Sequence, residues 1–178
     1  MKVFIAGPRA LRSLNKKVIE RLEKIMAQNF TVLVGDAAGI DKQIQIFYDS
    51  KKYNNVKVFA SNGKVRNNIG KWEVEAVKVD PDVKGFDFYA MKDLAMAKEA
   101  DYGFMIWNGK SRGTFNNILN LVEFKKTVLV YVTVKRCFYI IKSMSDVETL
   151  KYELSSKVNE KKKGEDVDNQ MEQLSLEI

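Results

Sequence analysis

The chain contains no histidine. That absence excludes Ser-His-Asp and Cys-His nucleophilic machinery and imidazole metal ligation, and it leaves acid–base work to carboxylates, Lys or Tyr. Most hydrolase mechanisms go with it, and no metal or cofactor is expected. A single cysteine, Cys137, has no partner for an internal disulfide, which suits a reduced setting. Next to Phe138, Tyr139, Ile140 and Ile141 it reads as a small buried hydrophobe. Long hydrophobic runs are also missing. Val3 to Ala6 breaks at Gly7-Pro8-Arg9, too short for a signal-peptide core, and Thr127 to Val134 is too short to cross a bilayer. A soluble, cytoplasmic protein with no membrane partner is the expectation. There is no internal repeat.

What is present suffices for one folded domain: 178 residues, 46% of them apolar. The net charge of +7 is permissive for phosphate or nucleic-acid partners without selecting either. Residues 157–178 hold four Lys against six Asp or Glu, so the positive charge belongs to the remainder of the chain. Charge density rises and aromatics vanish from Asn159, so 159–178 is expected to be a solvated or disordered tail.

Apolar runs at Lys2–Ala6, Thr31–Val34, Val56–Ala60, Tyr102–Trp107 and Thr127–Val132 read as buried strands. Between them lie helical spacings: Leu14, Val18, Leu22 and Ile25, with Ser13 as N-cap; Ile40, Ile44, Phe47 and Tyr48; Met91 to Lys98; and Ile118, Leu121 and Val122. Strands alternating with helices predict an α/β, Rossmann-like, doubly wound, mostly parallel sheet of about five strands with helices on both faces. The domain spans 1–143, and a C-terminal helix over 144–158 packs on or beside it. The pattern loosens from Ser61 to Tyr89, where Trp72–Val79 alternates like a short extra strand. Lys135–Ser143 reads as a further edge strand.

Two turns carry the chemistry. Trp107-Asn108-Gly109-Lys110-Ser111-Arg112-Gly113-Thr114 is small, glycine-rich and hydroxyl-bearing where a strand hands over to a helix, the place where α/β proteins hold phosphates. Gly35-Asp36-Ala37-Ala38-Gly39 follows another strand and leads into Ile40-Asp41. Two such turns in one domain point to a nucleotide-like ligand. Ser111 and Thr114 either donate to phosphate or cap the helix. Arg9 and Arg112 are placed to pair with a phosphate. Asp36 and Asp41 accept from ribose hydroxyls, or Asp41 caps its helix and reaches back to loop amides. Trp107 either stacks on a base or packs beneath the adjacent helix.

Ala6-Gly7-Pro8-Arg9, the run Val34 to Asp41, Met96 to Asp101, and Trp107 to Thr114 together resemble the SLOG superfamily. It groups nucleotide-binding Rossmann-like domains of the DNA-processing protein A and LONELY GUY kinds. The resemblance covers roughly residues 1 to 132 and looks closest to small stand-alone members, bacterial or phage-borne. It implies a ligand crevice at the carboxyl ends of the strands. There Gly7, Pro8, Arg9, Gly35, Asp36, Ala37, Gly39, Asp41, Lys92, Trp107, Ser111, Arg112, Gly113, Thr114 and Asn117 are the candidate contacts. Lys92 and its neighbour Asp93 touch the ligand or form a charged helix face; Arg66 and Asn67 are further candidates. A homo-oligomer, dimer or tetramer, is also implied, with Phe138–Ile141 as a possible edge for it.

Related N-glycosidases place a catalytic Glu three positions after the Gly-Thr turn. Here that position is Asn117, and an amide cannot supply the negative charge that an oxocarbenium-like state needs. Three functions are therefore in view. The first is binding of a nucleotide or nucleotide-derived signal, such as an ADP-ribose-like molecule, by a sensor or sequestering module. The second is an N-glycosidase or deoxyribosyltransferase whose carboxylate is relocated to Asp36, Asp93 or Glu99. The third, not favoured, is single-stranded nucleic-acid binding with Trp72, Tyr89 and Trp107 as stacking groups.

Overall fold

The structure is a computed structural model that describes residues 1–155. The element order is β1 (Lys2–Ala6), α1 (Lys16–Ala27), β2 (Thr31–Gly35), α2 (Ile40–Ser50), β3 (Val56–Ser61), β4 (Glu73–Val77), α3 (Gly85–Glu99), β5 (Tyr102–Trp107), α4 (Arg112–Glu123), β6 (Val128–Val132), β7 (Cys137–Ile141) and α5 (Met144–Ser155). One sheet of seven strands runs in the order β4-β3-β2-β1-β5-β6-β7. Every neighbouring pair is parallel except β6 and β7. This is a Rossmann-like, doubly wound α/β fold with two more strands than the five apolar runs predict, one at each edge.

The chain winds outward from β1 through β2 and β3 to β4, then α3 carries it back to β5 on the other side of β1. Strand order thus reverses between β1 and β5, and the loops leaving these two strands part to open a crevice at their carboxyl ends. Both faces of the sheet are covered, which is why the central strands are apolar at consecutive positions instead of alternating. Val3 and Ile5 of β1 face α1 and α2 with Leu22, Ile25 and Ile44. Phe4 and Ala6 face the opposite layer with Met96, Ile118, Leu121 and Leu150.

Several expectations need correction. The first helix is capped by Asn15, whose side chain accepts from the Lys17 N–H at 2.9 Å, and not by Ser13. Leu14 packs against the core just ahead of the helix, so the helix starts after it. Cys137 is half-buried, because it opens an edge strand. The Met91–Lys98 spacing is, as expected, part of the third helix, which begins at Gly85. The C-terminal helix is described to Ser155; its expected extension to 158 and the expected tail over 159–178 lie outside the described residues.

The stretch between β3 and β4 crosses over without a helix, unusual for a parallel pair. Side chains hold it instead. Gln45 Nε2 donates to the carbonyls of Gly35 (2.9 Å) and Asn67 (3.2 Å), and its Oε1 accepts from the Ile69 N–H at 3.0 Å. Asn68 brackets Trp72 through both its N–H and its carbonyl. The Trp72 ring is buried in the core, with its Nε1 donating to the Tyr53 carbonyl at 3.0 Å. None of the helices among the described residues is long and apolar enough to cross a membrane.

Candidate functional site

The crevice between the β1 and β5 loops has a volume of about 460 Å³. Its walls come from the β1 turn, the start of α2, the first half of α3 and the first turns of α4. Of the residues singled out from sequence, Gly7, Arg9, Ala37, Asp41, Lys92, Asp93, Ser111, Gly113, Thr114 and Asn117 line it.

The β1 and β2 turns are locked together. The Ile40 N–H donates to the Pro8 carbonyl at 3.3 Å, and a Cβ at Gly7 would come within 2.8 Å of the Ile40 side chain. Gly39 is the N-cap of α2 with φ +79°, its Cα packed against the Arg9 backbone. On the α4 side, Asn108 Oδ1 accepts from the N–H groups of Lys110 (3.0 Å) and Ser111 (2.8 Å). This turn delivers Ser111 as N-cap, and the hydroxyls of Ser111 and Thr114 lie 3.0 Å apart. The first N–H groups of α4, with the partial positive charge of a helix N-terminus, therefore border the crevice.

A charge network underlies the opposite wall. Asp36 is 1% exposed and does not line the crevice. Arg66 holds it: Nη2 to Oδ1 at 2.5 Å, Nε to Oδ2 at 2.9 Å, and the Arg66 N–H to Oδ2 at 3.1 Å. Burial pushes the Asp36 carboxyl up, but the hydrogen bonds and charge of Arg66 outweigh it and hold the group below its ordinary value. Asn67 Nδ2 also donates to the Asp36 carbonyl at 2.8 Å. Arg66 and Asn67 thus clamp the β2 turn. An Arg66→Ala variant, which strands a buried carboxylate, is expected to lose about 2 kcal/mol. That lies below the range for fully buried pairs, because Arg66 is about a third exposed. Urea denaturation of this variant and of Arg66→Ala/Asp36→Asn checks it: the double variant should recover part of the loss.

Asp41 accepts from the Ala37 N–H. It is the loop-amide contact read from sequence, while Gly39 takes the cap position. Full burial pushes the Asp41 carboxyl up to about 7; the Lys92 ammonium opposes the rise and the Asp93 carboxylate adds to it. Lys92 is 3% exposed, so it is no ordinary charged helix face, and its Nζ contacts Asp93 Oδ1 at 2.6 Å. Burial works against the Lys92 charge, but Asp93 and Asp41 more than compensate and hold its pKa above the ordinary value. Gly35 is where this network needs room: a Cβ there would lie 2.5 Å from Asp41 Oδ2 and 2.7 Å from Lys92 Nζ.

Other candidates lie apart from the crevice. Glu99 pairs with Lys2 and Lys57 toward the amino-terminal ends of β1 and β3, at the opposite end of the sheet. Trp107 is 5% exposed, stacked on Phe115 (5.2 Å, 28°), with its Nε1 donating to the Ser111 carbonyl at 3.1 Å. Arg112 is exposed, with its guanidinium 4.5 Å from the centre of the Phe86 ring. Of the three aromatics considered for base stacking, Tyr89 alone borders the crevice, flanked by the guanidinium groups of Arg9 (4.9 Å) and Arg66 (4.5 Å).

Sequence reasoning passed over Phe86, Asn116 and Asn120, which also line the crevice. The missed signal is the three-residue spacing Thr114, Asn117, Asn120, a polar stripe on an otherwise apolar helix face. Asn117 is 3% exposed, and its side-chain amide makes no hydrogen bond among the described residues. Among the described residues no cluster of His, Cys, Asp or Glu is arranged to hold a metal ion. No family model and no curated protein matches the chain.

Proposed function

We propose that the chain binds a nucleotide or nucleotide-derived phosphorylated small molecule in this crevice, as a sensor or sequestering module of SLOG-like type. The observation that carries the reading is Asn117. Its amide makes no hydrogen bond among the described residues and is not sealed from solvent, so its donor and acceptor both open onto the crevice and are available to a ligand. Around that amide stand the α4 N-terminus and the cation Arg9 for phosphate, and the Asp41 and Asp93 carboxylates for sugar hydroxyls. An ADP-ribose-like signal has this combination of groups.

Gly113 supplies the test. Its added Cβ would meet nothing nearer than Phe86 at 4.0 Å, so a side chain there projects into open crevice. Gly113→Val is expected to keep the wild-type melting temperature within a few degrees. In isothermal titration against nucleoside 5′-phosphates and ADP-ribose, wild type should bind at least one of them and the variant none. Uniform absence of heat with folded wild type refutes the reading.

The N-glycosidase reading keeps one specific support: Asp41 and Asp93 line the crevice, whereas Asp36 and Glu99 are engaged elsewhere. Release of free base from nucleoside monophosphates or NAD, followed by chromatography and abolished by Asp93→Asn, would favour it.

A further inference from the structure

A second depression of about 530 Å³ lies on the other side of the α4 N-terminus, and Ser111 lines both. Its floor is apolar: the Trp107–Phe115 stack and Leu154. Its rim is cationic, formed by Lys110, Arg112 and Lys151, none of which has a carboxylate partner among the described residues. Arg112 spans the divide, since its guanidinium sits on Phe86, a residue of the first crevice.

We propose that the two depressions are lobes of one site, and that the ligand is a dinucleotide: two nucleosides joined through phosphates. The inference rests on the nucleotide reading of the crevice. Each lobe falls by itself in the size range of a small-molecule pocket, and the two adjoin at Ser111, so each has room for its own nucleoside. The phosphates cross the saddle at the start of α4, where the helix N–H groups, Ser111 and Arg112 meet them. The second nucleoside lies on the Phe115 side, where Lys151 Nζ rests over the ring at 4.6 Å and swings aside to pair with a phosphate as a base takes its place on the ring. A lone second phosphate would not need the Trp107, Phe115 and Leu154 floor.

The experiment is isothermal titration of the full chain with AMP and GMP, with the diadenosine and diguanosine diphosphates, and with a ten-residue oligothymidylate. The dinucleotide of the preferred base is expected to bind at least tenfold more tightly than its mononucleotide. Lys110→Glu/Lys151→Glu changes two exposed residues of the outer lobe only, and melting curves confirm its fold. It should remove that gain and leave the mononucleotide affinity unchanged. Equal affinity for mono- and dinucleotide overturns the two-lobed site while the crevice reading stands. A dinucleotide gain that survives the double substitution also overturns it. Tighter binding of the oligothymidylate overturns it in favour of a single strand, and binding of none of these probes overturns the dinucleotide site, while the crevice reading is decided by the ADP-ribose titration.

Discussion

A Gly39→Ala variant is expected to be less stable than wild type by about 4 kcal/mol, with the loss split between two causes that act at one atom. Gly39 has φ +79° and ψ −131°, a backbone conformation that L side chains rarely adopt, and forcing alanine into it costs about 1–3 kcal/mol. The new Cβ would also overlap the Cα, carbonyl carbon and carbonyl oxygen of Arg9. Backbone cannot rotate out of the way as a side chain can, so the β1 turn must shift, at a further cost of about 1–3 kcal/mol. Gly63 is the control: it also has positive φ (+69°), but the nearest atom to its Cβ is Ala76 Cβ at 3.5 Å, so Gly63→Ala should lose only about 1 kcal/mol. Urea midpoints at unchanged slope measure both. Equal losses at the two glycines would show that close packing of the β1 and β2 turns contributes nothing. The consequence for the site is direct, because the turn that must shift carries Arg9.

The legibility of this fold in its sequence follows burial. β1, β2, β3, β5 and β6 announce themselves because parallel strands covered on both faces must be apolar at consecutive positions. β4 and β7 lie at the sheet edges, and the alternation in Glu73-Val74-Glu75-Ala76-Val77 marks a strand with one neighbour and one open edge. The first half of α3 was illegible for a related reason. Residues 85–91 have no buried position because they border the open crevice, so no apolar period marks them; the buried positions, Lys92, Met96 and Ala97, all fall in the stretch that was read as helical.

The site divides along similar lines. Turns that follow strands are local, so Gly35, Gly39, Ser111, Gly113 and Thr114 were found by position alone. The Arg66–Asp36 pair joins residues 30 apart through a crossover that has no periodic pattern, and only the folded chain brings them together. Trp107 had two readings in the sequence, and its hydrogen bond to Ser111 places the indole beneath α4 instead of toward the crevice. Asn117 was legible as a departure from the glutamate of the N-glycosidases whose turn pattern the sequence resembles. Its full meaning required the fold, which sets that amide on the crevice wall with no protein partner among the described residues.

Replacing Asp41 with asparagine is expected to change the pH dependence of stability more than its value at any one pH. Burial raises this carboxyl from its ordinary 3.8 to about 7, so between those values the folded chain holds a proton that the unfolded chain has released. The stability this group contributes is therefore fully present below pH 3.8 and is lost as pH rises to about 7. The shift corresponds to about 4 kcal/mol in all. Asparagine mimics the protonated carboxyl and does not titrate, and it still accepts from the Ala37 N–H. The variant should match wild type near pH 4 and exceed it by a widening margin, up to about 4 kcal/mol by pH 8. Asp36, Glu99 and Asp146, all held below their ordinary values, are common to both proteins and cancel in the difference. Urea denaturation of both at pH 5, 6, 7 and 8 measures it, and a margin that stays constant over this range refutes it. The same proton reaches the ligand. Above pH 7 the crevice gains a negative charge beside Lys92, so affinity for a phosphorylated ligand should fall through this window in wild type and stay level in Asp41→Asn.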